Sequence, residues 1–447
     1  MKLIIKTIRD AMSTPGFSLL YIIGVAFTIA FTLLYGMLLY GQLAAVYPEY
    51  DRSATMYLGG ATLKGKEYTI NSGLSQTFVD EYLRDRLEST DEITVMTGYN
   101  PGYPMVQTDG HGPEFHVEAR YVEPSFFRFY DYEFKAGSPF TQADFDSRLT
   151  VAAISEKVAA RLFASPEEAV GKQISIDHVK YRIAGVFREG SALCVDSYGE
   201  VFIPYSTMYK DYYQDEWPDK LLGSLRIMIK TKPGMKDALR DEILDITRRI
   251  NSTDTTAAKF YINSLDTHMS HVLSDNGLYD SENGKEQDHI PGDNHPLAIW
   301  GPILTGLLVV LVIPALNISG LIGSRMDRMT SEIGIRRSFG ATRTRLMRMV
   351  LTENLILTLI GGIAGLATAW IIAASTGGML LQFTPLEYIT EPGFGENTSF
   401  VTGEMAFSPA VFLLMLTLCL ILNTISAWIP ARKAMRRQIT ESINTKR

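Results

Sequence analysis

The sequence predicts a polytopic α-helical membrane protein: four transmembrane helices in a 1 + 3 arrangement, with a large α+β extracytoplasmic domain inserted between the first and second. Three observations predict this fold. Four runs without a charged residue each exceed the ~20 residues that cross a bilayer core; they are Ala11–Pro48, Pro296–Ser324, Asn354–Leu386 and Met405–Ala431. The long stretch between the first two runs is polar and alternates strand and helix patterns. Basic residues cluster beside the runs on one predicted side of the membrane.

The distribution of charge sets the predicted orientation. Three basic residues precede the first run, seven Arg lie between the second and third, and six Lys or Arg follow the fourth. The loop between the third and fourth runs has four Glu and no basic residue. Because basic loops stay in the cytoplasm, both termini and the Arg-rich loop are predicted to be cytoplasmic.

These boundaries divide the chain into consecutive segments. They are a cytoplasmic amphipathic helix at 1–16, a first span at 17–43, the extracytoplasmic domain at 44–297, a second span at 298–323, a cytoplasmic segment at 324–349, a third span at 350–376, an outer loop at 377–408, a fourth span at 409–430 and a cytoplasmic tail at 431–447.

Within the extracytoplasmic domain, two βαβ patterns are separated in sequence, which predicts one split subdomain from residues 50–100 and 222–265. Residues 101–221 would then form an inserted subdomain. We expect Gln42–Tyr50 to continue the first span as a stalk, a strand at Thr55–Leu58 and a helix at Ser75–Leu87. In a second helix, Lys236–Ile250, the apolar residues recur at helical spacing: Leu239, Ile243, Ile246 and Ile250.

The composition excludes several functions. The extracytoplasmic domain holds 26 Lys and Arg against 40 Asp and Glu, a sign that excludes nucleic acid as a partner outside the cell. The chain has two cysteines, Cys194 in the extracytoplasmic domain and Cys419 in a span, so we expect no disulfide between them. No phosphate-binding loop is present: the nearest fragment, Gly171-Lys172, lacks the preceding glycine and is followed by Gln173. This chain is therefore not expected to be an enzyme.

Two groups of polar residues could suggest a metal site or acid–base chemistry. His268 and His271 would share a helix face, and with His289 and His295 could bind a metal, but no cysteine ligand or HExxH pattern supports this. We interpret them as solvated surface histidines. The second group lies in a Gly/Pro-rich context typical of an exposed turn; it comprises Asp109, His111, Glu114 and His116. No catalytic, cofactor-binding or metal-binding residue is predicted.

The Arg-rich cytoplasmic loop contains a short amphipathic segment. Ile335 and Phe339 lie four residues apart, and its polar side includes Glu332, Arg336 and Arg337. Gly340 can take the left-handed conformation that ends a helix, and Thr342 can cap the next one. The loop has two interpretations: a topology signal, or a docking helix for a cytosolic partner. In the third span, Gly361 and Gly365 form a Gly-x-x-x-Gly pattern that permits close helix packing, either within one subunit or across a dimer.

Several stretches of the chain have the pattern of one known family. One enters the first span, two lie in the extracytoplasmic domain, and two lie in the C-terminal third. They are Thr14–Ala26, Val151–Phe163 with Val170–Ile174, Tyr181–Phe187, Glu332–Ala341 running on to Glu353 and Ile360–Leu366, and Ile429–Met435. In these stretches the chain resembles the MacB/FtsX/LolC group of ABC-transporter permeases, and its extracytoplasmic stretches are similar to the MacB-like periplasmic core.

The resemblance implies a permease of the bacterial cytoplasmic (inner) membrane that works by mechanotransmission. Cytosolic ABC ATPase subunits, which would bind ATP and Mg, would drive the extracytoplasmic domain to export or extract a lipoprotein, peptide or drug. It further implies a second permease as homo- or heterodimer partner, and a periplasmic adaptor or client. The residues implied to couple to the ATPase are Glu332, Ile335, Arg336, Arg337, Phe339 and Gly340.

Two other functions stay open from the sequence. One is an FtsX-like regulator of cell-wall hydrolases, and the other is a membrane receptor that signals without transport. A neighbouring gene for an ATPase would favour the transporter, and a neighbouring histidine kinase alone would favour the receptor.

Overall fold

The structure is a computed structural model, and it describes residues 15–98, 104–108, 114–208, 220–253, 258–275, 300–301, 303–309, 312, 320, 335–375 and 408–436. The chain forms two units. One, the α+β unit, comprises Gly41–Trp300 and Gly377–Thr402. The other, the helical unit, comprises Met1–Tyr40, Gly301–Thr376 and Gly403–Arg447.

The described helices vary from single turns to lengths that could cross a bilayer. They are α1 Pro15–Leu43, α2 Gln76–Phe78 with a π-helical continuation Val79–Leu83, α3 Ser125–Phe129, α4 Gln142–Asp146, α5 Glu156–Leu162, α6 Pro166–Ala169, a 3-10 turn Tyr205–Thr207, α7 Lys236–Thr253, α8 His268–Asp275, α9 Arg343–Ser375 and α10 Pro409–Arg436.

All strands found among the described residues lie in the α+β unit. They are β1 Thr55–Lys64, β2 Thr69–Leu74, β3 Thr90–Thr97, β4 Met105–Thr108, β5 Phe115–His116, β6 Ala119–Val122, β7 Phe134–Gly137, β8 Val151–Ser155, β9 Gln173–Ile176, β10 Val179–Phe187, β11 Val201–Pro204, β12 Leu222–Gly223, β13 Leu225–Thr231 and β14 Lys259–Thr267.

One continuous mixed sheet runs through the α+β unit in the order β12-β2-β1-β13-β3-β6-β11-β8-β10-β9-β4-β5, with β14 beside β1 and β7 beside β10. The sheet has two lobes, which meet where β3 pairs with β6 at Met96 and Val122. In the first lobe, strands from the two ends of the unit are neighbours, since β1 pairs with both β13 and β14. The subdomain boundaries at residues 100 and 221 stay predictions.

Each lobe packs its own helices on the sheet. In the first, α7 buries the predicted stripe, because Leu239, Ile243, Ile246 and Ile250 all lie in the core. Burial of such a side chain contributes about 1.5–3 kcal/mol. In the second lobe, Ser155 ends β8, and its hydroxyl accepts a hydrogen bond from the Val158 amide, so it caps α5 as predicted. A further core, in which Phe126, Phe127, Phe187 and Phe202 lie together, includes residues from strands of both lobes.

Three local predictions were wrong. β1 does not stop at Leu58 but runs through Gly59 and Gly60, where an added Cβ would lie 2.2 Å from Ser264 Oγ and 2.3 Å from Ser72 O. Glycine is thus required at position 60, where the atom is part of the backbone of the neighbouring strand, whereas at position 59 the serine side chain could rotate away. The helix expected at Ser75–Leu87 is a single α-turn and a π-turn that end at Leu83, since the Arg84 backbone is extended.

The expected stalk at Gln42–Tyr50 is the third error. Helix α1 ends at Leu43, and the chain then turns, with a bridge between Val46 and Glu49. Val46, Tyr47 and Glu49 are buried. The chain after α1 is therefore part of the α+β fold and not a free extension of the helix.

Among the described residues, three helices are long and apolar enough to cross a membrane: Ser18–Leu43, Arg343–Ala373 and Pro409–Trp428. These match three of the four predicted spans. The span predicted at 298–323 lies mostly outside the described residues, although residues 303–309 are helical and the Tyr35 hydroxyl donates to the Ile303 carbonyl, 3.4 Å away. The segment at 1–14, most of the outer loop and most of the tail also lie outside them.

Candidate functional site

The described part of the Arg-rich loop starts at Ile335 and forms a single helical turn, in which the Phe339 amide donates to the Ile335 carbonyl at 3.2 Å. We call residues 335–342 the coupling segment. Glu332, the first residue predicted to belong to this site, lies outside the described residues.

The coupling segment ends in a Schellman motif centred on glycine. The Gly340 amide donates to the Arg337 carbonyl and the Ala341 amide donates to the Arg336 carbonyl, each at 3.0 Å. Gly340 has φ +85, which a residue with a β-carbon adopts only with strain. The predicted left-handed turn at Gly340 is therefore confirmed.

Helix α9 starts directly after this motif. The Thr342 hydroxyl accepts a hydrogen bond from the Arg345 amide at 3.3 Å, and the Thr342 carbonyl accepts one from the Leu346 amide at 3.1 Å. Thr342 thus caps α9 as predicted. The turn and the long helix are joined by two residues, Ala341 and Thr342, so the coupling segment leads directly into α9.

The apolar residues of the coupling segment point outward in this chain. The Phe339 side chain is 87% exposed and Ile335 is 49% exposed, whereas Leu346 and Val350 on α9 are buried. The Arg336 guanidinium lies 2.9 Å from the Met349 sulfur, which ties the turn to the second turn of α9. Phe339 is therefore exposed on a backbone that hydrogen bonds hold in one conformation. Such a side chain is suited to contact with a partner, because binding then costs little conformational entropy.

Further along α9, Gly361 and Gly365 pack against α1 of the same chain. An added Cβ on Gly365 would lie 2.6 Å from the Ala26 carbonyl oxygen, and one on Gly361 would lie 2.7 Å from Val25 Cγ1. In this chain the two glycines pack within one subunit, and packing across a dimer stays a prediction. Small residues at such positions let two helix backbones approach closely.

Polar groups also join α1 to α9. The Tyr21 hydroxyl donates to the Asn354 side-chain carbonyl and lies 3.2 Å from the Thr358 hydroxyl, and all three side chains are buried. Sequence reasoning missed this contact, although a tyrosine and an asparagine inside uncharged runs are a usable signal for interhelical hydrogen bonds.

The interpretation of His268 and His271 as solvated surface residues was wrong. His268 is buried, with Nε2 2.7 Å from the Gln42 carbonyl and Nδ1 3.0 Å from the Tyr57 hydroxyl. His271 stacks on the Tyr57 ring at 4.0 Å between centroids, and its Nε2 lies 2.9 Å from Asp196 Oδ2. Both imidazoles face inward because α8 continues directly from β14, so that its first turn is held against β1.

Neighbouring charges and burial shift the pKa values of His268 and Asp196 in opposite directions. Burial lowers the pKa of His268, with the carboxylate of Glu49 opposing it, so the ring is neutral at physiological pH. The pKa of Asp196 is lowered, because the attraction of His271 and Arg226 outweighs its burial.

Among the described residues no group of His, Cys, Asp and Glu has the arrangement that would hold a metal ion. Of the second polar group, Glu114 and His116 are exposed, and the other two residues lie outside the described ones.

A second buried polar cluster follows α1, and we call it the root cluster: Glu49, Arg52, Cys194 and Ser197. Arg52 is 4% exposed, and its Nε donates to Glu49 Oε2 at 2.6 Å. The Ser197 hydroxyl donates to Glu49 Oε1, also at 2.6 Å, and Arg52 Nη2 lies 3.1 Å from Cys194 Sγ. Sequence reasoning missed this cluster, because Cys194 and Ser197 are far from Arg52 in sequence.

Two family models match the chain. The MacB-like periplasmic core domain matches residues 18–246, more than half of the chain, and the FtsX-like permease C-terminal matches residues 304–439.

Two curated relatives are similar over most of this chain. The pyoverdine export ATP-binding/permease protein PvdT of Pseudomonas syringae pv. syringae is 26% identical over 302 residues, which are 67% of this chain and 38% of the relative. The macrolide export ATP-binding/permease protein MacB of Escherichia coli (strain K12) is 23% identical over 321 residues, 72% of this chain and 42% of the relative. The chain spans about two fifths of the length of these relatives.

Among solved structures, the periplasmic region of MacB from Actinobacillus actinomycetemcomitans is 15% identical, with a TM-score of 0.33; the match covers 47% of this chain and 88% of that one.

Proposed function

The chain belongs to the MacB/FtsX type of ABC-transporter permeases, and on that premise we propose that it is a membrane subunit that carries the work of ATP hydrolysis to its α+β unit. The mode of action is mechanotransmission: the helical unit moves, and the α+β unit acts on a client outside the cytoplasm. The two export proteins named above support export as the outcome. We propose export or extraction of a lipoprotein, peptide or drug for this chain.

The proposed topology has four spans in a 1 + 3 arrangement in the inner membrane. Three of these spans correspond to α1, α9 and α10, and the fourth is the run at 298–323. Both termini and the coupling segment would lie in the cytoplasm, because the basic residues concentrate there.

The proposed partners follow from this arrangement. Cytosolic ABC ATPase subunits would bind ATP and Mg and contact the coupling segment, and a second permease would complete a homo- or heterodimer in the bilayer. A periplasmic adaptor or client would contact the α+β unit.

The observation that carries the proposal is the exposed apolar pair on the coupling segment. Ile335 and Phe339 project from a turn that a Schellman motif ends and that α9 anchors. A loop that served only to set topology would need its arginines, but it would need neither an exposed phenylalanine nor a fixed glycine turn.

The test is the double substitution Ile335→Asp with Phe339→Asp. It should place charge in an apolar cleft of the ATPase and cost several kcal/mol of binding if that cleft is dry. The full-length protein would be purified from its native membrane, and co-purifying ATPase would be quantified by mass spectrometry and by ATP turnover. We expect loss of at least about tenfold of the bound ATPase, which corresponds to roughly 1.4 kcal/mol.

Two further variants sharpen this experiment. Gly340→Val should also lower ATPase binding, because a β-branched residue tolerates the observed positive φ poorly. Tyr68→Asp changes an aromatic residue of the α+β unit that is 51% exposed, and it should leave the ATPase bound. If the double variant retains its ATPase, the loop is only a topology signal and the proposal fails.

A further inference from the structure

The last turn of α1 receives hydrogen bonds from a side chain of the α+β unit. Arg52 Nη1 donates to the Gly41 carbonyl at 2.8 Å and also to the Ala44 carbonyl. The last carbonyls of a helix have no partner within it, so they need donors from elsewhere, and a cation is favoured there by the helix dipole. Arg52 supplies both, and the helix end is therefore held by one guanidinium.

The same guanidinium contacts the buried loop that links β10 to β11, residues 188–200. Its Nη2 lies 3.1 Å from Cys194 Sγ, and its Nε is bound by Glu49, whose second oxygen accepts from Ser197 of that loop. A planar fork with donors on three nitrogens can reach the helix end, the carboxylate and the loop at once, which a lysine ammonium cannot do.

Loop 188–200 is in turn fixed to the second lobe. The Arg188 amide donates to the Glu133 carbonyl and the Ser155 amide donates to the Glu200 carbonyl, each at 2.8 Å. The Tyr132 hydroxyl donates to the Ser197 carbonyl. A displacement of the loop at Cys194 and Ser197 would thus move β8 and β11, the central strands of that lobe.

These contacts exceed what a simple helix cap would need. A cap could be formed by an exposed lysine or by water, without burying a charge, and burial of an arginine is costly unless every donor is paired. Here the guanidinium is buried, and each of its three nitrogens has a hydrogen-bond partner. These partners belong to the helix end, the following turn and a loop more than 130 residues away in sequence.

We propose that Arg52 is a positioning residue that joins the last turn of α1 to loop 188–200, so that displacement of α1 reaches the second lobe through its guanidinium. The proposal rests on the proposed function only in assuming that α1 moves during the working cycle. The joint itself can be tested without the ATPase, so failure of one does not imply failure of the other.

The experiment is a double-mutant cycle read out at the native Cys194 thiol. The full-length protein carrying Cys419→Ala would be reconstituted in lipid nanodiscs, and labelling of the buried Cys194 by N-ethylmaleimide would be timed. Gly36→Leu is the perturbation of α1, because an added Cβ there would lie 2.8 Å from Met415 Cε and 3.2 Å from Val411 Cγ1. Gly36 precedes Gly41 on the same helix by about 7.5 Å.

With Arg52 present, Gly36→Leu should change the labelling rate by about tenfold, within the usual range for coupled sites. With Arg52→Met, which keeps the apolar stem and removes every donor, the same Gly36→Leu change should alter the rate by less than about twofold. Gly16→Leu is the matched control on α1, since an added Cβ there meets nothing within 4 Å, and it should leave the rate unchanged.

Two further variants distinguish a positioning role of Arg52 from a general loss of stability of the α+β unit. Arg84→Met breaks a different ion pair of the α+β unit, with Glu123, and should retain the full effect of Gly36→Leu. If Arg52→Met labels as fast as unfolded protein, Arg52→Lys replaces it, and we expect an intermediate effect of Gly36→Leu. The proposal is overturned if Gly36→Leu acts equally in the presence and absence of Arg52, or no more strongly than Gly16→Leu.

Discussion

At the scale of single residues, the α+β unit buries several ionisable groups, and the cost of that burial is offset by neighbouring groups to different extents. Arg52 is the clearest case: burial lowers its pKa, yet the negative charge of Glu49 raises it on balance, so the guanidinium stays charged. A buried pair of this kind adds little net stability but strongly disfavours any structure in which one partner is lost.

Glu189 shows the opposite balance and gives a prediction about pH. Burial raises the pKa of its carboxyl to about 7, with Lys157 opposing at 3.5 Å. Because the folded-state pKa lies above the ordinary value, the folded protein holds this proton more tightly than the unfolded chain. Stability from this group is fully present below about pH 4.5 and is lost as the pH rises to about 7.

Glu189→Gln should therefore make the α+β unit more stable than the parent protein at pH 8, by up to roughly 3 kcal/mol for a shift of this size, and about equally stable at pH 4. Thermal unfolding across this pH range would show the difference. Glu133→Gln, in an exposed ion pair with Arg188, is the control and should shift little at either pH. Equal thermal unfolding curves for the Glu189 variant and its parent at pH 8 would show that burial does not raise the pKa of Glu189.

At the scale of elements, local rules predicted what depends on neighbours in sequence. Ser155 caps α5, Thr342 caps α9 and Gly340 ends the coupling segment, because each acts on the backbone within a few residues. The same holds for the stripe on α7, whose period is set by the helix itself.

Elements that depend on distant partners were not predicted. β1 continues through Gly59 and Gly60, where Ser264 and Ser72 of the neighbouring strands approach the backbone closely. The residues next to the two glycines in sequence do not indicate this approach. His268 and His271 appeared solvated in the sequence because nothing near them indicates that Tyr57 and Asp196 lie opposite. Arg52 was missed for the same reason, since its partners include a loop far along the chain.

The contact between α1 and α9 gives the second prediction. Gly365→Ala should destabilise the helical unit by about 1–3 kcal/mol, because its Cβ would press on the Ala26 carbonyl, a backbone atom that cannot rotate away. The neighbouring Gly362→Ala is the matched control. Its Cβ would meet only the side-chain ends of Leu416 and Ile29, at 3.3 and 3.4 Å, and it should be tolerated.

Thermal stability of the detergent-purified protein, followed by size-exclusion chromatography after heating, measures this difference. If both alanine variants lose stability equally, the loss comes from something other than close packing of the two helix backbones. If neither does, the α1–α9 approach is looser than the structure shows.

At the scale of the whole molecule, the open question is the number of spans. The described residues contain three helices that could cross a membrane, and the charge distribution favours a fourth at 298–323. The three-span and four-span topologies place Arg343 and Glu391 on opposite sides of the membrane. In both, residues 44–297 lie outside if the N-terminus is cytoplasmic, because α1 precedes them.

Cysteine labelling with a membrane-impermeant reagent separates the two topologies. In a Cys194→Ala, Cys419→Ala background, single cysteines would replace Asp237, Arg343 and Glu391 in turn, and right-side-out vesicles would be labelled before and after permeabilisation. Four spans place Asp237 and Glu391 outside and Arg343 inside. Three spans keep Arg343 outside, since no helix would return the chain to the cytoplasm before α9, and place Glu391 inside.

We expect Asp237→Cys and Glu391→Cys to label in intact vesicles and Arg343→Cys only after permeabilisation. The physical reason is the seven arginines between residues 325 and 348, which the membrane potential and the insertion machinery retain in the cytoplasm. Asp237→Cys serves as the internal standard, because its side chain is 98% exposed and both topologies place it outside. Labelling of Arg343→Cys in intact vesicles would put the coupling segment on the wrong side to meet a cytosolic ATPase, and the proposed function would fall with the four-span topology.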